Sequence, residues 1–208
     1  MKSMGYLLLL FSLVPRLMST TTSATSTQVT VDQSSKIRLP SPDGKWEVDS
    51  VTPKTEEGNS TLVLKSLPEG HTQQLGEFFR SGTLIWCSNS RMLVFLDRHS
   101  AEDTRLRVFF VPGSDGAAAD SADREIRSSV LKSIGSGSRV LFYDLDIPSC
   151  SGDEFAVSAR VVTVSKAVKS GPAKQWEGKY TVHLKPLKVT RESFGVTAEG
   201  VETRSQAH

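Results

Sequence analysis

The sequence predicts a mainly β fold, a compact antiparallel β domain with one amphipathic helix. The central observation is the stretch from Trp86 to Val111, which holds two apolar runs rich in β-branched and aromatic residues, joined by a polar loop. Residues 179–185 alternate between polar and apolar side chains, as a half-buried strand does. One stretch, residues 121–134, repeats apolar side chains at helical spacing instead.

The first 26 residues predict a secretory signal sequence. Lys2 precedes a mostly apolar run over residues 6–14, and a Ser/Thr/Ala tract begins at Ser19. The apolar run is too short to span a bilayer as a helix, and no later run approaches that length. We therefore predict cleavage between residues 19 and 26, and a mature protein that is secreted or periplasmic with no membrane span.

Composition and charge limit the class of partner. The 208 residues are 38% hydrophobic and 23% charged, which is typical of a soluble globular protein. Removal of residues 1–26 takes away two of the 25 basic residues and none of the 23 acidic ones, so the formal charge of the mature chain is zero. Because proteins that bind duplex nucleic acid usually carry a net basic surface, this balance argues against such a partner.

The rest of the chain divides into three parts. Residues 27–35 are polar and rich in Ser and Thr, and they predict a flexible lead after processing. Residues 36–192 predict a single β-rich domain. Residues 193–208 have little apolar content and predict a loose C-terminal tail.

The first local signal inside the domain is the turn at residues 41–46, Ser-Pro-Asp-Gly-Lys-Trp. Proline presets one turn position and glycine supplies a positive φ, so the chain is expected to reverse into a strand over residues 46–51. Further strands are predicted over residues 59–67 and 73–79, and another begins at Thr83.

The turn recurs in altered form 46 positions later, at residues 87–92, Cys-Ser-Asn-Ser-Arg-Met. Together with Trp86, the two turns resemble the Trp-Ser-Pro-Asp-Gly-Lys signature of TolB-type β-propeller repeats, over residues 40–112. In the second copy Ser88, Asn89 and Ser90 stand where the signature has Pro, Asp and Gly. The resemblance implies a propeller-like fold that binds a protein on a blade surface.

The number of repeats leaves the topology open. A closed propeller needs about four or more blades of about 40 residues each. The chain offers two candidate repeats. The prediction for the domain therefore stays open between a sandwich-like and an incomplete propeller-like arrangement.

The amphipathic helix is predicted near residues 121–134. Its apolar positions recur at helical spacing and are Ile126, Val130, Leu131 and Ile134. We expect this stripe to pack on a sheet; the alternative is a helix that binds a partner.

Three β runs follow the helix, over residues 139–147, 155–164 and 178–187. Within residues 160–192 eight basic residues stand against two acidic ones. This cluster predicts a cationic hairpin, with Lys179, His183 and Lys185 as candidate residues that bind an anionic envelope or extracellular macromolecule, or a protein. The alternative is that the lysines are solvated and discourage edge-to-edge aggregation.

Cys87 and Cys150 are the two cysteines of the chain. In an oxidising compartment an even pair favours a disulfide, which would stabilise the fold by about 3–5 kcal/mol in the chain-entropy description. The alternative is a pair of buried, unbonded thiols.

No short motif for a nucleophile elbow, a zinc-binding helix or a phosphate loop occurs, and the histidines lack metal-ligand spacing. The sequence therefore predicts no cofactor and no bound metal. A loose calcium site is the alternative, and its oxygen ligands would be Asp144, Asp146, Asp153 and Glu154.

These observations favour an exported binding or structural module over an enzyme. The alternative function is a small secreted hydrolase whose site is assembled from residues distant in sequence. Its candidate residues are Asp97, His99, Asp144 and Asp146.

Overall fold

A computed structural model describes residues 26–34, 36–52, 58–111, 119–167 and 172–201. The predicted signal sequence falls almost entirely outside this part of the chain. The described residues form strands and one helix: β1 Thr27–Asp32, β2 Arg38–Pro40, β3 Trp46–Val51, β4 Ser60–Ser66, β5 Thr72–Phe78, β6 Ser81–Trp86, β7 Met92–Arg98, β8 Arg105–Phe110, α1 Ala119–Ile134, β9 Ser138–Ser151, β10 Glu154–Ser165, β11 Ala173–Leu184 and β12 Leu187–Val201.

The strands form three four-stranded antiparallel sheets. The N-terminal sheet has the order β2-β3-β4-β5, the central sheet β1-β6-β7-β8, and the C-terminal sheet β12-β11-β10-β9. For the described residues, the predicted mainly β fold with one helix is confirmed. Because antiparallel four-stranded sheets occur in many folds, the TolB-type resemblance stays a prediction.

Strand β7 lies at the centre of the molecule and is buried on both faces. Leu93 and Phe95 pack into a core shared with the N-terminal sheet. Val94 and Leu96 point the other way, into a core shared with the C-terminal sheet and α1. Each such side chain stabilises the fold by about 1.5–3 kcal/mol when fully buried, so the strand holds the layers together.

The two predicted turns share a residue with positive φ at the corresponding position. Gly44 has φ +68° and Ser90, the residue 46 positions later, has φ +56°. The turns are also in direct contact, because the Asp43 amide donates to Ser90 Oγ at 2.9 Å. A left-handed φ is unusual for serine, and this serine stands where the first turn uses glycine.

Two stretches that were predicted to be loose are strands. Residues 27–32 of the expected flexible lead form β1, which pairs with β6 and buries Val31 completely. Residues 193–201 of the expected tail continue β12, where Phe194 stacks on Trp176 with ring centroids 5.6 Å apart. An edge strand needs apolar side chains on one face only, so its composition is polar enough to suggest disorder.

Helix α1 confirms the predicted helix and begins two residues before it. It packs beside β8 and against β11 and β12. Ile126 and Val130 are fully buried, whereas Leu131, which we assigned to the same stripe, is 56% exposed.

The predicted strand over 178–187 is also interrupted, because Lys185 and Pro186 form the turn between β11 and β12 and proline cannot donate a ladder hydrogen bond.

The predicted disulfide is present. Cys87, in the second turn, is bonded to Cys150 at the end of β9, with a Cα–Cα distance of 4.9 Å. Beside it Asn89 Nδ2 donates to the Gly152 carbonyl at 2.6 Å. The covalent bond therefore joins the central sheet to the C-terminal sheet at the start of β7.

Replacement of both cysteines by serine should lower the free energy of unfolding by about 3–5 kcal/mol, because the bond closes a 63-residue separation. Urea unfolding of the variant and the wild type measures the difference. Labelling of two thiols before any reduction would contradict the bonded state.

Gly82→Ala should destabilise the central sheet by about 1–3 kcal/mol, the usual cost of overpacking. A Cβ at Gly82 would lie 2.2 Å from the Phe95 ring and 2.6 Å from the Leu96 carbonyl oxygen. Gly137→Ala is the matched control, because no atom lies within 4 Å of its Cβ position. Equal urea midpoints for the two variants would contradict this account.

Candidate functional site

A cleft of about 660 Å³ opens between the N-terminal and central sheets where β7 ends, beside the first half of α1. We call it the arginine cleft. Its titratable residues, apart from Asp123 of α1, are Glu77, Asp97, His99, Arg105, Arg107 and Arg124. Asn59 and Phe79 also line it, from the N-terminal sheet side.

Arg107 forms the floor of the cleft and joins the two sheets. Its Nη1 donates to the Glu77 carbonyl oxygen at 2.8 Å and lies 3.4 Å from Asp97 Oδ2. Its guanidinium also lies over the Phe109 ring, 5.2 Å from the centroid. Gly76 makes room for it, since a Cβ there would sit 2.1 Å from Arg107 Nη2. The guanidinium therefore covers part of the β5 edge.

Asp97 is the polar exception in the buried run of β7, and it is only 6% exposed. Its Oδ1 is buried and has no hydrogen-bond partner among the described residues. Burial raises the pKa of the Asp97 carboxyl above its ordinary value, while the positive charge of Arg107 opposes the shift. The carboxyl is thus held close to a cation but away from water.

The opposite wall of the cleft is fixed by α1. Asp123 accepts a hydrogen bond from the Leu106 amide at 3.1 Å, and Arg127 Nη2 donates to the Thr104 carbonyl at 2.6 Å. Asp123 and Arg127 also pair with each other at 2.7 Å. Arg127 lies 4.2 Å from the centroid of the Tyr143 ring. Side chains of the helix therefore occupy the outer edge of β8, where a further strand would otherwise pair.

The charges that solvent can reach in the cleft are mainly positive. Arg105 and Arg124 are exposed, whereas Asp97 is buried and the Asp123 side chain is only 15% exposed. Glu77 is the exposed acid of the cleft. The cleft therefore presents guanidinium groups to a ligand, and guanidinium geometry matches carboxylate and sulfate.

The predicted cationic hairpin lies on the C-terminal sheet, away from this cleft. Lys179 lines a second cleft, of about 400 Å³, which we call the Lys179 cleft. His183 Nδ1 lies 2.9 Å from Glu154 Oε2, and Lys185 is in the β11–β12 turn. The charged residues of the Lys179 cleft are Arg98, Asp144, Asp146, Arg160, Glu177 and Lys179. Acids and bases are thus interleaved around the hairpin, although its binding role stays a prediction.

The hydrolase residues do not converge. Asp97 and His99 line the arginine cleft, whereas Asp144 and Asp146 line the Lys179 cleft. The four-residue site considered from the sequence is therefore wrong as a single constellation. The spacing of these residues in the sequence does not indicate that the end of β7 and strand β9 present their side chains to different clefts.

The calcium alternative also fails. Asp144 Oδ2 pairs with Arg160 at 2.9 Å, while Glu154 pairs with His183 on another part of the sheet. Among the described residues, no three His, Cys, Asp or Glu side chains come together as metal ligands.

Within the same ranges, no helix combines the length and apolar character needed to cross a bilayer.

Sequence reasoning missed the residues of the arginine cleft. Arg105 and Arg107 alternate with buried Leu106 and Val108 along β8. This alternation indicates a strand with both arginines on one face. The contribution of Arg124 depends on how α1 sits beside β8, and no local pattern gives that placement.

The comparisons with known proteins add no family assignment. No protein-family model matches the chain, and no curated protein matches it significantly.

Asp97→Asn should make the protein more stable at neutral pH, and the gain should shrink as the pH falls to about 4. Burial raises the pKa of Asp97 in the folded protein, so the protonated carboxyl favours folding. This stabilisation is fully present below the pKa of the unfolded state and is lost as the pH rises through the pKa of the folded state. Urea unfolding at several pH values tests this. A variant less stable than the wild type at pH 7 would contradict it.

Proposed function

We propose that this protein is an exported, non-enzymatic module that binds an anionic envelope or extracellular macromolecule. The observation that carries the proposal is the arginine cleft, whose solvent-accessible charges are mainly guanidinium groups on a rigid β scaffold. Anionic ligands gain from such a concave site, because cations in a cleft raise the local concentration of the ligand and pair with it directly.

The scaffold supports a binding role. The cleft walls come from two sheets that share a core, and Arg107 connects them through the Glu77 carbonyl and Asp97. The backbone that carries the cleft residues is therefore held in place by packing, which reduces the conformational entropy lost when a ligand binds. The Cys87–Cys150 disulfide is compatible with an oxidising compartment outside the cytoplasm.

The cationic hairpin is the competing surface for the same class of ligand. Lys179, His183 and Lys185 are accessible to a polymer, but Glu177 and Glu154 lie beside them. An anionic polymer on this face would meet acids as well as bases. The two surfaces can be separated because they share no residue.

Arg105→Glu combined with Arg124→Glu should weaken binding to immobilised dextran sulfate by about tenfold or more at low ionic strength, since each reversal replaces attraction by repulsion. Retention at increasing salt concentration measures the effect. Circular dichroism and urea unfolding confirm that the variant folds.

The matched control reverses the same number of charges in the hairpin, through Lys179→Glu and Lys185→Glu. We expect a smaller loss of retention for this variant. A larger loss would transfer the proposed function to the hairpin, and failure of the wild-type protein to bind any polyanion would overturn it.

A further inference from the structure

We infer that the arginine cleft binds a polysaccharide that carries uronic acid residues, with the sugar carboxylate on Arg105 and Arg124 and the sugar ring against Phe79. The inference rests on the proposed function and names its ligand class. It combines three features of one cleft: accessible guanidinium groups, an exposed aromatic ring and a mixed pair of hydrogen-bonding side chains.

Arg105 is placed to receive a carboxylate. Its side chain is 53% exposed, and its ion pair with Asp103 is long, at 3.8 Å. A surface pair of this length contributes little to stability, so exchange of Asp103 for a ligand carboxylate costs little. Arg124 lines the same cleft from α1. A guanidinium group binds a carboxylate through two parallel hydrogen bonds, so each of these residues offers a site for the sugar acid.

Phe79 gives the cleft an apolar surface that a simple polyanion does not need. It follows β5 directly and is 51% exposed, although it is a large hydrophobic residue. It lines the cleft together with the cations. The negative face of an aromatic ring attracts weakly positive C–H groups, and one side of a sugar ring presents such groups.

The remaining rim residues suit hydroxyl groups. Asn59 Nδ2 donates to Glu77 Oε2 at 3.0 Å, and both side chains line the cleft. The pair offers amide donors and carboxylate acceptors to hydroxyl groups, which every unit of a polysaccharide carries.

An acidic peptide is disfavoured by the sheet edges beside the cleft. A peptide often binds by adding a strand, which requires free backbone groups at an edge. Arg107 covers the Glu77 carbonyl of β5, while Asp123 and Arg127 cover the Leu106 amide and the Thr104 carbonyl of β8. The ligand must therefore be recognised by side chains.

The test is titration calorimetry with tetragalacturonate and with tetraglutamate, which carry the same formal charge on different backbones. We expect the wild-type protein to bind tetragalacturonate about tenfold more tightly than tetraglutamate. Phe79→Ala should weaken binding of the sugar acid by about threefold to tenfold, the usual range for an aromatic contact. Val196→Ala is the control, since Val196 is an exposed hydrophobic residue of the C-terminal sheet.

The outcomes separate the two proposals. Equal affinity for both ligands, or tetragalacturonate binding that is insensitive to Phe79→Ala, would overturn the sugar-acid inference and leave the anionic binding module standing. Binding of dextran sulfate without binding of tetragalacturonate would do the same. Failure to bind all three probes would overturn both.

Discussion

The burial of β7 on both faces is the constraint on which the rest of the structure depends. A central strand of this kind needs apolar side chains at every position, and the run from Met92 to Leu96 supplies them. Two cores form as a consequence, one on each side of the central sheet. The N-terminal and C-terminal sheets, with α1, are the layers that cover these faces.

Layered sheets leave edges, and this protein covers two of them with side chains rather than with strands. Arg107 reaches from the central sheet to the carbonyl of Glu77 on β5. Asp123 and Arg127 reach from α1 to β8. Edges protected in this way resist unwanted pairing, and two of these side chains, Arg107 and Asp123, also line the arginine cleft.

Much of the fold follows from patterns of period two and 3.6, but the site does not. The apolar runs around β7, the alternation in β11 and the stripe of α1 identify elements because burial acts on local sequence. Strands β1 and β12 escaped the same reasoning, since edge strands resemble polar linkers. The arginine cleft depends on how β5, β8 and α1 are placed relative to one another. That placement comes from long-range packing, which no short pattern in the sequence encodes.

One group of links between the layers lies at the end where β7 begins. The Cys87–Cys150 bond and the hydrogen bonds Asp43–Ser90 and Asn89–Gly152 all lie where β7 begins. The arginine cleft lies at the other end, about 20 Å away along the strand. Substitutions at the cleft therefore leave the linked end intact. Substitutions can therefore change the chemistry of the cleft surface while the layered framework is retained.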